Sequence, residues 1–167
     1  MAGLVNYDPA VDVHLTEAGV KQAEALAQEL KDVHFDAIYV SRLKRTRQTA
    51  EIINRYHHLK LVEEALLDDI RNGFEGKKVS EAKKWRDAQS DPIVARYQNK
   101  YESVNDMTDR ARAFLEKIKG EHQDDETILV VTSSHMIKQL RMLNNEITLE
   151  ELIGPAAKYA SCYIFDV

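Results

Sequence analysis

The stretch FDAIYVSRLKRTRQTA, residues 35–50, changes character halfway along its length. Residues 37–40 form a short apolar run that predicts a buried strand, and Ser41 is the polar residue at which such a run gives way to a helix. Four cations, Arg42, Lys44, Arg45 and Arg47, then crowd the predicted helix start. The free N–H groups and the positive end of the macrodipole at that place favour anions and oppose fixed cations. A bound anion relieves the conflict, and a phosphate is the obvious candidate. On charge alone, a solvated basic face with neighbouring carboxylates is the plainer explanation. The order of the residues shifts that balance.

Working outward, Thr16 caps a predicted helix over 17–32, in which Val20, Ala23, Leu26, Ala27 and Leu30 recur at helical spacing. Before it, Pro9 interrupts a short apolar-leaning stretch. Downstream of the 44–56 helix, residues 59–62 read as a second strand, and strand, helix, strand at this spacing is a parallel crossover unit. From 63 to 101 charge rises and Asn72, Gly73 and Gly76 break the pattern, so this region is expected to cover the site. Helices are expected there over 79–88, with Trp85 as a packing anchor, and over 92–100, opened by Asp91 as cap and Pro92 at the first helical position. Ser103 and Asp106 begin the next helix, whose face is Met107, Ala111, Phe114, Leu115 and Ile118 and whose exit is Gly120. Residues 128–131 are continuously apolar, as befits a parallel strand covered on both faces, and residues 136–143 return over the sheet as a helix. Thr148 with Glu151 makes a capping box for a short helix ended by Gly154-Pro155, and residues 160–165 are expected to supply a last strand.

The 167 residues, 44% hydrophobic and 31% charged, are read as one domain, 1–167, with 63–101 as its cover. Apolar runs fall short of the roughly 20 residues of a membrane span and the N-terminus lacks a signal-peptide pattern, so no membrane partner is expected and the default compartment is the cytoplasm. The single cysteine, Cys162, has apolar neighbours and reads as a buried core thiol. A net charge of −5 gives no general support for nucleic-acid binding, whereas the local basic run suits a small anion. His57 and His58 are adjacent without a third ligand at metal spacing, which favours a solvated helix terminus over a metal site.

Two side chains stand out on placement. His135 follows a buried strand and precedes a helix, at the carboxyl end of a parallel sheet where ligands of open α/β folds bind. Arg45 brings a planar, permanently charged fork that matches phosphate oxygens.

The chain resembles the histidine phosphatase superfamily, also called phosphoglycerate mutase-like. Ser41, Leu43, Arg45, Thr49 and Ala50 fill the places of the family's Ser-x-Leu-x-Arg-x-x-x-Thr-Ala segment. DVHLTEAG at 12–19 is similar to Asp-x-Pro-Leu-Thr-x-x-Gly, with His14 in place of proline. TILVVTSSHMIKQL at 127–140 is similar to the segment bearing the second catalytic histidine, with Met136 where the family has glycine. LLDDIRNGFEG at 66–76 resembles Leu-x-Glu-x-x-x-Gly-x-x-Glu-Gly and puts Asp68 at the proton-donor position, one residue from Asp69, which a single-residue shift would put there instead. The resemblance implies an α/β fold with a mainly parallel sheet and helices on both faces. It also implies phosphoryl transfer from a small phosphate ester to histidine and then to water, without metal or organic cofactor. Arg45 would bind the phosphate, His135 would act opposite the nucleophile and Asp68 would protonate the leaving oxygen once burial or a nearby anion keeps it neutral. The chain is shorter than phosphoglycerate mutases, which favours hydrolysis over mutase activity.

The family's first strand ends in Arg-His-Gly, whose histidine accepts the phosphate, and these residues contain no such tripeptide. Either that strand precedes residue 1, or residues 4–8 are its degenerate remnant with Asn6 and Tyr7 where Arg and His belong; the short connection to Leu15 favours loss. A sheet without that inner strand is expected to repair itself with residues near Leu4, by closing its remaining strands together, or by strand exchange with another copy. The rival to a phosphatase is a catalytically inactive protein that binds a phosphate ligand or a partner through Arg45 and His135. A nucleic-acid-binding helix at 42–47 is a third reading, which the acidic total disfavours.

Overall fold

The computed structural model describes residues 3–10, 13–154 and 160–164. In chain order these form α1 (Glu17–Leu30), β1 (Ala37–Val40), α2 (Lys44–Ile53), β2 (Leu61–Glu63), α3 (Val79–Asp87), α4 (Val104–Glu121), β3 (Ile128–Val131), α5 (Ser134–Leu143) and α6 (Leu149–Ile153). The three strands make a parallel sheet in the order β2-β1-β3, with Tyr39 opposite Val62 on one side and Val130 on the other.

Side chains of a strand alternate between faces, and this alternation divides the core in two. Ile38, Val40, Leu129 and Val131 pack with Ala23, Leu26 and Ala27 of α1 and Ala50 and Ile53 of α2. Tyr39, flanked by Ile128 and Val130, turns to the other side against Met107, Ala111, Phe114 and Ile118 of α4 and Met136 and Leu140 of α5. Helices therefore cover both faces, which explains why these strands are apolar throughout. Local chemistry sets the helix starts. Thr16 Oγ1 accepts from Gly19 N at 3.1 Å, and Ser103 with Asp106, like Thr148 with Glu151, forms a reciprocal capping box.

Four expectations are corrected. Strand β2 begins at Leu61 rather than at 59, because the Asn54 amide holds both the N–H and the carbonyl of Leu59 (2.9 and 2.7 Å) in a turn. Residues 92–100 are not a helix. Asp91 starts a single turn by accepting from Ile93 and Ala95, but Gln98 and Asn99 have φ of 54° and 52°, a left-handed geometry that ends any helix of L-residues. No strand forms over residues 160–164, and Phe165 lies outside the described residues. A strand needs a ladder partner; Tyr163 instead lies under the Arg141 guanidinium at 4.1 Å and Ile164 is 92% exposed. Cys162 is accordingly exposed rather than a core thiol.

The N-terminal stretch joins the cover region and not the sheet. Leu4 bridges antiparallel to Lys78, Val5 N donates to the Lys77 carbonyl at 2.8 Å, and Gly76 N donates to the Val5 carbonyl at 3.0 Å. Behind them Phe74, Trp85, Tyr97 and Tyr101 pack ring against ring, with Trp85 touching both Phe74 and Tyr97. Among the described residues no helix is long and apolar enough to cross a membrane.

Candidate active site

Two strand-to-helix junctions build the site. At the end of β1, the buried Ser41 hydroxyl meets Thr46 Oγ1 at 2.7 Å, and Thr46 Oγ1 also donates to the Leu43 carbonyl, which fixes a tight entry into α2. The N-cap, Leu43, offers no side-chain acceptor to the backbone N–H groups of the first turn. At the end of β3, Thr132 Oγ1 donates to the Leu67 carbonyl at 2.6 Å, which ties the acidic loop to the strand end, and Ser133 caps α5 just before His135. The consequence is convergence. Arg45 Nη2 lies 3.3 Å from Asp69 Oδ2, and His135 Nδ1 lies 2.9 Å from Asp69 Oδ1. Both side chains that the sequence singled out thus meet on one buried carboxylate.

Adjacent carboxylates have different surroundings here. Asp68, fully buried, accepts from Arg42 N (3.1 Å), Arg42 Nε (2.9 Å), a second Arg42 nitrogen and Arg71 Nη2 (3.1 Å). Every one of these neighbours is a donor. Asp69 stands between Arg45 and His135. Burial pushes its carboxyl upward, but the charges of His135 and Arg45 and the Ile70 N–H outweigh burial and leave it below the ordinary value of 3.8. His135 is raised above 6.5 by the charge of Asp69, against burial and the repulsion of Lys138 and Arg86. With Nδ1 held by Asp69, Nε2 is the nitrogen left to a ligand.

Other supporting residues were not evident from sequence. Arg110 donates to the carbonyls of Leu66 and Asp68 at 2.7 Å each while Glu102 holds its guanidinium, so α4 fixes the path of the acidic loop. Asn6 fills the rest of the Arg45 fork, with its Oδ1 at 2.8 Å and its carbonyl at 3.0 Å. Glu75 collects the N–H groups of Tyr7 and Asp8 and the Asn6 amide, and so positions Asn6. Asn6 stands where the resemblance expects Arg, and nothing in the sequence marks it as an acceptor for Arg45. Nothing in the periodicity marks Arg110, which looks like a solvated helix residue. Met136, in the family's glycine place, is fully buried in the core beneath the site. His57 stacks edge-on to Phe35, away from the site, and among the described residues no cluster of three His, Cys, Asp or Glu is placed to hold a metal.

Arg45, Asp69 and His135 open onto a groove of about 2110 Å³ that continues along β3 between Leu26 and Leu30 of α1 and Phe114 and Ile118 of α4. That exceeds a small-molecule pocket of roughly 300–1,000 Å³, so a ligand at the junctions would fill only its upper end.

Fold and site together define an α/β protein of the phosphoglycerate mutase-like kind. The family model of the histidine phosphatase superfamily (branch 1) matches residues 4–167, and the chain belongs to that family. It is 34% identical over 142 residues to phosphoserine phosphatase 1 of Hydrogenobacter thermophilus, matching 81% of this chain and 65% of that protein. It is also 34% identical over 123 residues to the probable fructose-2,6-bisphosphatase TIGAR A of Danio rerio, matching 68% of this chain and 48% of that one. Among solved structures, Bacillus stearothermophilus YhfR superposes with a TM-score of 0.75 at 28% identity, covering 89% of this chain and 75% of that chain. The chain thus spans about half to two thirds of the length of these curated relatives.

Proposed function

We propose that this fold serves phosphomonoester hydrolysis of the histidine phosphatase type, acting on a small phosphorylated substrate, and that residues 1–167 alone supply the phosphate-binding half without the nucleophile. The observation that carries this reading is the convergence of Arg45 and His135 on Asp69 at the carboxyl ends of adjacent parallel strands. In the proposed chemistry Arg45 clamps two phosphate oxygens, and His135, protonated and oriented through Nδ1 by Asp69, donates from Nε2 to a third. Asp68 is proposed as the proton donor to the leaving oxygen, with Asp69 its alternative. Activity of Asp68→Asn against Asp69→Asn decides between them. This reading assigns no imidazole of residues 1–167 to attack on phosphorus, and water without activation is a poor nucleophile.

The rival reading, an inactive phosphate-binding or interaction protein, is favoured by one contact: Asn6 already occupies the Arg45 fork. The deciding experiment is turnover of an aryl phosphate by three proteins: this chain, a version extended upstream by an apolar strand ending in Arg-His-Gly, and that version with its histidine changed to alanine. Activity is expected only in the second. Robust turnover by the present chain, lost on His135→Ala, would overturn the missing-nucleophile reading. An inactive extended protein that still binds phosphate would favour the rival.

A further inference from the structure

Residues 3–8 run along the loop that follows Gly73 and are held there by polar contacts. The Gly3 carbonyl accepts from Val79 N at 2.9 Å, Val5 exchanges backbone bonds with Lys77 and Gly76, and the Tyr7 hydroxyl accepts from Gly73 N at 3.2 Å. Glu75 accepts from Tyr7 N at 2.7 Å, from Asp8 N at 3.0 Å and from the Asn6 side-chain amide at 3.0 Å. These contacts press Asn6 against Arg45. Its Oδ1 accepts from Arg45 Nη1 at 2.8 Å and its backbone carbonyl from Nη2 at 3.0 Å. Two oxygens on the two terminal nitrogens of one guanidinium is the pattern in which a carboxylate or a phosphate binds arginine. Both of these oxygens are neutral. Among the described residues Asp69 is the carboxylate that meets Arg45, and it is shared with His135. Asn6 thus fills the geometry of the fork without answering its charge.

An anion competing for that fork adds the attraction of opposite charges, which the oxygens of Asn6 lack. Nor is the segment anchored by packing. None of residues 3–10 is buried and none belongs to either half of the core, so its release is an opening of the local, low-cost kind. We propose that residues 4–8 are an autoinhibitory strap: Asn6 occupies the anion fork of Arg45 in the resting protein, Glu75 holds it there, and a phosphate group enters by displacing it. The apparent affinity for phosphate is then the intrinsic affinity reduced by the fraction of molecules whose strap is open. This inference rests on the phosphate-binding reading of Arg45 above and adds how access to that site is controlled.

The test is calorimetric titration of inorganic phosphate into the wild-type chain, Asn6→Ala and Glu75→Ala, with circular dichroism to confirm folding of each. Amide hydrogen exchange of the wild-type chain, with and without saturating phosphate, is a second measurement that needs no variant. Asn6→Ala removes one of the two competing oxygens and Glu75→Ala removes the clip that places both. Each should bind phosphate about three- to tenfold more tightly than wild type, the size expected when one competing hydrogen bond is lost. In the wild-type chain the Tyr7 and Asp8 amides, which donate to Glu75, should exchange faster once phosphate is bound, while the β1 amides keep their protection. Binding by both variants but not by wild type supports the strap in its strongest form. Phosphate bound by the variants no more tightly than by wild type overturns the strap and leaves the phosphate site standing, as does unchanged protection of Tyr7 and Asp8 at saturation. Failure of all three proteins to bind phosphate overturns the phosphate-binding reading and this inference with it.

Discussion

Asp69 is a buried carboxylate held between two cations from separate elements, and its pairing makes the charge of the site depend on pH in a defined direction. Its folded pKa is lowered, so its stabilising contribution is complete above about pH 4 and disappears as pH falls through the lowered value. His135 is raised, so its contribution is complete below pH 6.5 and is lost as pH rises through the higher folded value. Between those limits both are charged and the imidazolium can donate to an anion. Sulfate, which does not titrate near neutrality, should therefore bind with an affinity that declines at a midpoint above 6.5. Asp69→Asn should move the midpoint downward, because the charge that raised His135 is gone. A pH-independent affinity in both proteins would mean that His135 does not touch the anion. At Asp68, the Asn variant loses a carboxylate bonded to two guanidinium groups. Arg42 and Arg71 are each nearly half exposed and can be hydrated instead, so urea unfolding should show a loss of about 1–3 kcal/mol rather than more. The choice between these two aspartates was not legible in the sequence. Neighbours in an irregular loop point in different directions, and here Arg42, Arg71 and Arg110 give the two carboxylates their different surroundings, contacts that no spacing in the sequence announces.

Among the elements, those defined by their own residues were readable and those defined by distant contacts were not. The start of α4 follows from Ser103 and Asp106 and its apolar face from spacing, and both match expectation, whereas the helix continues through Gly120 to Glu121 instead of leaving at the glycine. Ser103→Ala should remove that cap at a cost of about 1 kcal/mol, a fall of roughly 2–4 °C in melting temperature. Phe114→Ala, at the centre of the same face and 1% exposed, should cost about 3–5 kcal/mol. Equal shifts for the two variants would mean that α4 is not packed on the sheet through Phe114. Residues 92–100 show the opposite case. Asp91-Pro92 is a genuine helix-start signal, yet the turn it begins gives way to the aromatic packing of Tyr97 with Phe74 and Trp85, and Gln98 and Asn99 adopt positive φ to place it. Packing across the cover region overrode the local signal. The same reasoning applies to Gly73, whose φ is 81° and where an added Cβ would collide with the Tyr101 ring, so Gly73→Ala should loosen the cover region and lower the melting temperature.

At the scale of the whole molecule the sheet is uneven. The central strand β1 is paired on both edges, whereas among the described residues β3 is paired only with β1 and faces the groove with its other edge. Alternate N–H groups of a parallel strand point to opposite sides, so half of the β3 amides lack a ladder acceptor. The residues that could have supplied another strand, 160–164, form none, and Tyr163 among them lies against Arg141 instead. The sequence could announce the parallel strands through their apolar runs, but it could not announce their order or an unpaired edge, because pairing is a property of the assembled sheet. Hydrogen exchange followed residue by residue makes the edge measurable. The four β1 amides should be protected to a similar, high degree, and the β3 amides should alternate between slow exchange toward β1 and fast exchange toward the groove. Uniform protection of β3 at every concentration would mean that a segment of the same chain covers the edge. Protection of the fast set that grows with protein concentration, together with a rise in sedimentation coefficient, would identify strand exchange between copies. The alternating pattern, independent of concentration, is expected for the sheet as it stands. In a version extended by an apolar strand the fast amides should become slow, because the added backbone would supply the acceptors that β3 lacks.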